Sequence, residues 1–282
     1  MSKFLNSMKS MFLLTGLTLL VVFIGRALGG QTGMLVALIF AVAFNGFSYW
    51  YSDKIAIKMT NSHPVTRQEA PYLYEIIERL AQRAGLPMPK IYITPSQQPN
   101  AFATGRNPEN AAVAVTEGLL RILDREELEG VLAHEMAHIK NNDVLIGTLA
   151  AVMAGVITTL ADMAQWTLLF GGLGNDEEEG SGLAALPLII LGPLAAMLIQ
   201  MAISRSREYL ADTTGAQLAG NARGLANALL KLHQASRMIP MQVSPAASHL
   251  FIVNPFSGRA LVTLFSTHPP IEDRVKRLQS MM

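Results

Sequence analysis

Apolar and polar positions are distributed along this chain in blocks. Four apolar runs, at residues 11–24, 33–51, 144–170 and 183–203, fall into two pairs, split by the short stretches GRALGGQT and GGLGNDEEEGSG. A bilayer core of ~30 Å is crossed by about 20 apolar helical residues. The second, third and fourth runs reach that length; the first does so only by extending past Arg26 to Gly29. Lys3 and Lys9 ahead of an apolar stretch also fit a cleaved signal peptide. Because a second run follows almost at once, with no A-x-A site between, the pattern predicts a retained helical hairpin. Asp162 interrupts the third run and should face protein, water or an interface.

The flanking charges orient these runs. Lys3, Lys9, Lys54, Lys58, Arg67, Lys140, Arg205 and Arg207 all fall on one side if four helices span, and the third-to-fourth connection carries only Asp176, Glu177, Glu178 and Glu179. Both termini and both hydrophilic stretches are therefore expected in the cytoplasm. The division this implies is a hairpin at 1–53, a soluble part at 54–143, a second apolar hairpin at 144–203 and a second soluble part at 204–282.

Inside the soluble parts the period changes. Leu73, Ile76, Ile77 and Leu80 recur at helical spacing, and Gly85 and Pro87 end that element. KIYIT and AAVAVT read as short strands, the second preceded by the turn-rich GRNPEN. DREELEGVLAHEMAHI reads as a helix opened by Asp124, with Glu127 in the capping-box position. The remainder after Ser204 is mostly helical. The expected fold is a mainly α membrane protein with a small β-sheet and two transmembrane helical hairpins.

Composition agrees: hydrophobic residues make up 50% of the chain and charged residues 15%, against about 25% charged in soluble domains. A net charge of +1 gives no reason to expect nucleic acid as a partner. With no cysteine, disulfides are excluded and any metal must be held by His and carboxylates.

The candidate chemistry lies at His134-Glu135-Met136-Ala137-His138. Residues i and i+4 share a helix face, so His134 and His138 can address one ion. Glu135, at the edge of that face, can take a proton from water activated there. Two neutral imidazoles plus a carboxylate suit one Zn2+ per chain, with a fourth position open. Glu208, in SRSREYLAD, is the candidate third ligand: it follows the fourth apolar run by five residues, and His138 precedes the third by six. A hairpin between them returns the chain to the same membrane face. Asp212, four residues after Glu208, can accept the outer N–H of a ligand histidine. Asp143 is a weaker ligand candidate, five residues from His138 and off its face.

HEMAH followed one apolar hairpin later by SREYLAD resembles the HtpX family of integral-membrane zinc metallopeptidases, distant relatives of the CAAX prenyl endoprotease. The resemblance extends to NAFATG at residues 100–105 and THPP at residues 267–270. It implies a gluzincin-like zinc peptidase domain in a bacterial inner membrane, with a cytoplasmic active site. It implies His134, His138 and Glu208 as ligands, Glu135 as base, and ATP-independent cleavage of damaged or misfolded membrane proteins, with no nucleotide involved. It also places a substrate-binding edge at Asn100, Ala101 and Phe102 together with the strand AAVAVT, and puts His268 near the site, either as a donor to an oxyanion or as a residue fixing a turn. His63, His233 and His249 have no partner pattern and read as structural or surface groups.

Three other functions compete. A CAAX-type processing protease shares the chemistry, but four apolar runs are few for an enclosing intramembrane chamber. A non-enzymatic scaffold with a structural metal has no use for Glu135. A transporter would need paired broken helices in its two halves, and only the fourth run, with Pro187 and Pro193, is kinked.

Overall fold

The computed structural model describes residues 2–145, 165, 205–238, 252 and 269–282. Most of the second apolar pair, Asp162, the acidic connection, His249 and His268 lie outside the described residues.

The chain opens with α1 (Ser2–Trp50), two helices joined where Gly29 and Gly30 leave helical geometry; Gly30 has φ +58°. The segment before Gly29 is helical throughout, past Arg26. The two helices fold back on each other. Asn45 Nδ2 donates to Thr18 Oγ1 at 2.8 Å, and a Cβ on Gly33 would fall 2.2 Å from the Gly25 carbonyl oxygen. Leu35, Val36, Leu38, Ile39, Phe40 and Val42 nevertheless point outward. A helix apolar on all sides belongs in lipid or a large core. Among the described residues, one helix, Gly29–Trp50, is long and apolar enough to cross a membrane.

After α2 (Ser52–Met59) comes a four-stranded sheet in the order β1 (His63–Pro64), β2 (Lys90–Thr94), β4 (Ala112–Thr116), β3 (Ala101–Thr104). β2 and β4 are parallel, and β1 and β3 run antiparallel on either side. KIYIT and AAVAVT thus form the two central strands. Pro64 sits on an outer strand, where a missing N–H costs no ladder bond. Gly105 turns the chain out of β3 with φ +134°, where a Cβ would meet the Asn110 carbonyl oxygen at 2.4 Å.

α3 (Pro71–Ala84) buries Leu73, Ile76, Ile77 and Leu80 completely, each contributing about 1.5–3 kcal/mol relative to exposure. It ends at Gly85 in the left-handed conformation. After the short α4 (Glu117–Ile122), α5 (Arg125–Asn141) starts with the expected capping box: Asp124 accepts from Glu127 N–H and Glu127 from Asp124 N–H, both at 2.9 Å.

α5 is the centre of the soluble unit. Val131, Leu132, Ala133, Met136 and Ala137 are fully buried, because α3, β3, α6 (Arg205–Ala219) and α7 (Arg223–Met238) surround it. The two hydrophilic stretches therefore share one core, closed by α8 (Ile271–Gln279) against α6 and α7. Two glycines set the helix separations. A Cβ on Gly130 would lie 2.4 Å from Leu225 N, and one on Gly215 would lie 2.9 Å from both the N and Cα of His134.

Candidate metal centre

His134 and His138 sit one turn apart on α5, and Glu208 lies two turns before Gly215 on α6. Since Gly215 lets α6 touch the backbone of His134 itself, the Glu208 carboxylate arrives opposite both imidazoles. His134 Nε2 and His138 Nε2 are 3.1 Å apart. Glu208 Oε2 is 3.6 Å from the first and Oε1 is 3.6 Å from the second. His134, His138 and Glu208 each offer one ligand atom within 4.8 Å of the others.

The outer nitrogens decide what this cluster accepts. Asp212 Oδ1 lies 3.0 Å from His134 Nδ1, and Asp143 Oδ1 lies 3.0 Å from His138 Nδ1. Asp143 bonds His138 Nδ1 and Asp212 stands at ion-pair distance from His134 Nδ1, so both carboxylates favour the ring proton on the outer nitrogen, which leaves both Nε2 lone pairs facing one another and a third carboxylate. Such a set repels itself unless a cation occupies the middle. The same field acts on protons. Burial pushes the His138 imidazole down, but Asp143, then Glu208 and Glu135, push it up further, to about 10. Burial likewise opposes protonation of His134, and Asp212 and Glu208 outweigh it. Two nitrogens and one oxygen at these separations fit a divalent ion with ligand bonds of ~2.0–2.2 Å.

Asp143, a weaker ligand candidate in the sequence, thus lies against the outer nitrogen of His138. The reason is local: Asn142 takes the left-handed conformation at the end of α5, and Asp143 N–H turns back to the His138 carbonyl at 3.2 Å.

Asp212 has a second partner that sequence reading missed. Arg274, on α8, is fully buried and donates from Nε to Asp212 Oδ2 at 2.9 Å and from Nη2 to Oδ1 at 2.7 Å. Its Nη1 donates to the Ile252 carbonyl at 3.1 Å and lies 3.7 Å from Glu208. Burial pushes the Asp212 carboxyl up, but Arg274 and His134 hold it well below the usual carboxylate range. The one available sign was an arginine four residues after Pro270, on the apolar face of a terminal helix. Gly215 was also missed; a glycine inside a helical pattern is the sign for it.

Glu135 is buried beside the cluster, and Ala103 N–H donates to its Oε2 at 2.8 Å. Burial raises its pKa, while His134 and His138 pull it back. Ala103 belongs to β3, which has one neighbour among the described residues. The strand AAVAVT, expected at the substrate edge, is β4, and β3 covers it: Ala101 pairs with Val115 and Ala103 with Val113. Asn100, Ala101 and Phe102 are all buried. The Asn100 side chain accepts Ile252 N–H at 3.0 Å, and Phe102 packs on Ala56 and Ala114. It is the Ala103 main chain that faces Glu135. Of the other histidines, His63 is exposed on β1 and His233 lies 3.9 Å from Glu272.

Against known proteins, residues 67–282 match the model of peptidase family M48. A protease HtpX homolog from Pelotomaculum thermopropionicum is 62% identical over 280 residues, covering 98% of this chain and 99% of its own. The chain belongs to peptidase family M48. A protease HtpX homolog from Pyrococcus furiosus is 54% identical, over 95% of this chain and 93% of its own. The crystal structure of Ste24p from S. mikatae superposes with a TM-score of 0.54 at 20% identity, covering 98% of this chain. That likeness is one of fold, and the chain spans 65% of the Ste24p length. As a member of the M48 family, this protein is a membrane-associated metalloprotease, and His134, His138 and Glu208 form a possible metal site.

Proposed function

We propose that the protein is a zinc endopeptidase of the cytoplasmic membrane face, with His134, His138 and Glu208 as ligands and Glu135 as the base. The observation that carries this reading is the meeting of two Nε2 atoms and a carboxylate beside a buried Glu135 that is itself bonded to an outer strand. When bound, the ion supplies Lewis acidity, lowering the pKa of water toward ~7 and polarising a carbonyl. Zinc suits two imidazoles and one carboxylate with a fourth position open.

The chain's own groups do the rest. Asp212 and Asp143 fix the tautomers and orient the rings. Ala103 N–H holds Glu135 Oε2, and burial raises the carboxylate's proton affinity toward the range useful to a base at neutral pH. Glu135 then takes a proton at Oε and hands it to the departing amine. An extended peptide adds to β3, the outer strand whose Ala103 main chain faces Glu135, and pairs with it backbone to backbone.

The substrates proposed are damaged or misfolded membrane proteins. Four spanning helices, in two hairpins, place the soluble parts in the cytoplasm, supported by Lys54, Lys58, Arg205 and Arg207 on one side and the acidic run 176–179 on the other. His268 is proposed to donate to the oxyanion, and the acidic run to form an outer loop. The decisive test is Glu135→Gln: metal analysis should find one zinc per chain in both proteins, while peptide cleavage falls at least ~100-fold. Activity near wild type removes Glu135 from the mechanism, and absence of zinc from active wild type removes the metal assignment.

A further inference from the structure

A short path links the catalytic carboxylate to the end of the membrane helix. Ala103 N–H is bonded to Glu135 at 2.8 Å. Three residues further on, Arg106 donates from Nη1 to the Trp50 carbonyl at 3.0 Å, and its guanidinium lies 4.7 Å above the Trp50 ring. Trp50 is the last residue of the helix able to cross a membrane. Gly105 makes the turn that aims Arg106 there, since its φ of +134° and the crowding by Asn110 exclude a side chain. A second attachment runs in parallel: α2, immediately after the membrane helix, packs Ala56 and Ile57 with Phe102 of β3, Ala114 and Tyr92.

The path has a maximum length. The main chain from Ala103 to Arg106 spans no more than about 11 Å, and an extended arginine side chain adds roughly 7 Å. With the 3.0 Å hydrogen bond, the Trp50 carbonyl lies within about 20 Å of Ala103. Trp50, Tyr51 and Phe47 are all exposed at this end of the helix, the arrangement of an aromatic belt at headgroup level. Lys54 and Lys58 follow directly.

We infer that the protease cuts membrane-anchored polypeptides close to the bilayer, within about six extended residues (~3.3 Å each) of its surface. This rests on the peptidase and membrane reading given above. A substrate segment leaving the bilayer beside α1 meets β3 at the Arg106 end and reaches Glu135 without a long tether. A short tether also holds the segment at high effective concentration, which declines as the tether grows.

The test uses the full chain in lipid vesicles with single-span model substrates. Each carries one cleavable segment about three, six, nine, 15 or 30 residues from the last apolar residue, chosen around the ~3.3 Å extended rise. The same segment is also supplied as a soluble peptide, and cut sites are read by mass spectrometry. Cleavage should set in by about six residues and be roughly tenfold slower at about 30. Onset only at about nine residues or beyond, or a rate independent of tail length, overturns the inference. Arg106→Glu should leave soluble-peptide cleavage unchanged and slow the shortest productive substrate several-fold; equal rates on that substrate also overturn it. If wild type cuts neither the soluble nor any anchored substrate, the peptidase reading itself fails. A soluble peptide cut normally beside late onset removes the spacing alone.

Discussion

Two of the helix pairs that meet backbone to backbone through glycine differ in everything else. In α1, Gly25 and Gly33 bring two apolar helices into contact, with Asn45–Thr18 as a side-chain hydrogen bond between them. In the soluble unit, Gly215 lays α6 on α5 at His134, and the crossing buries His134, Glu135, Glu208, Asp212 and Arg274. Helices in lipid gain little from hiding apolar side chains from one another, so small residues and close van der Waals contact drive their association. In the soluble core the hydrophobic term is already supplied by Leu132, Met136 and Leu225. There the close approach serves placement: it sets how far a carboxylate on one helix stands from two imidazoles on another. The same residue type is an adhesive in one region and a spacer in the other.

Substitutions can separate these roles. The largest effect should come from Glu208→Ala, which leaves two imidazoles as the only protein ligands. Bound metal should drop to near zero and proteolysis with it, read by metal analysis on purified folded protein. Asp212→Ala should cost less, about 10–100-fold in metal affinity.

Arg274→Met comes next. It leaves Asp212 buried with one charged partner removed, which costs about 3–5 kcal/mol on breaking a buried pair. Urea unfolding should show that loss, and metal affinity should fall as the His134 ring loses its fixed partner. Unchanged stability would mean that α8 is held by its apolar face alone.

Gly215→Ala should rank fourth. Its new Cβ would press on the His134 backbone at 2.9 Å, so α6 must retreat, at a cost of about 1–3 kcal/mol. Because the retreat moves Glu208 away from the imidazoles, metal affinity should weaken more than unfolding stability does. The reverse ordering would make Gly215 an ordinary packing residue.

Gly33→Ala and Asn45→Ala test the other side of the comparison. The Cβ at position 33 has only 2.2 Å to the Gly25 carbonyl oxygen, so the hairpin must splay, detectable by crosslinking between its helices. Asn45→Ala should cost about 0.6 kcal/mol, the usual size of a hydrogen bond between membrane helices. Neither should change metal content or cleavage of a soluble peptide. A drop in either would show that the hairpin and the metal centre are coupled.

Much of this was legible in the sequence because it depends on local spacing. His134 and His138 share a face through the helical period alone, the Asp124–Glu127 box specifies where α5 begins, and Leu73, Ile76, Ile77 and Leu80 announce a buried face. Glu208 was reachable on the expectation that the apolar stretch at 144–203 returns the chain to its starting side. The two central strands were visible as short apolar runs; β1, at two residues, was too short to show a pattern.

What the sequence could not carry are contacts between segments far apart in the chain. Arg274 meets Asp212 across 62 residues, Ile252 N–H meets Asn100 across 152, and Ala103 N–H meets Glu135 across 32. Nothing local marks Ala103, since any residue type offers the same N–H. That Ala103 rather than Phe102 faces the Glu135 carboxylate follows from the pairing of β3 on β4, because each residue of an antiparallel strand directs its main-chain groups to one side only. Sequence determined which side chains could bind a metal; helix crossing and strand register determined which of them, and which main-chain groups, meet there.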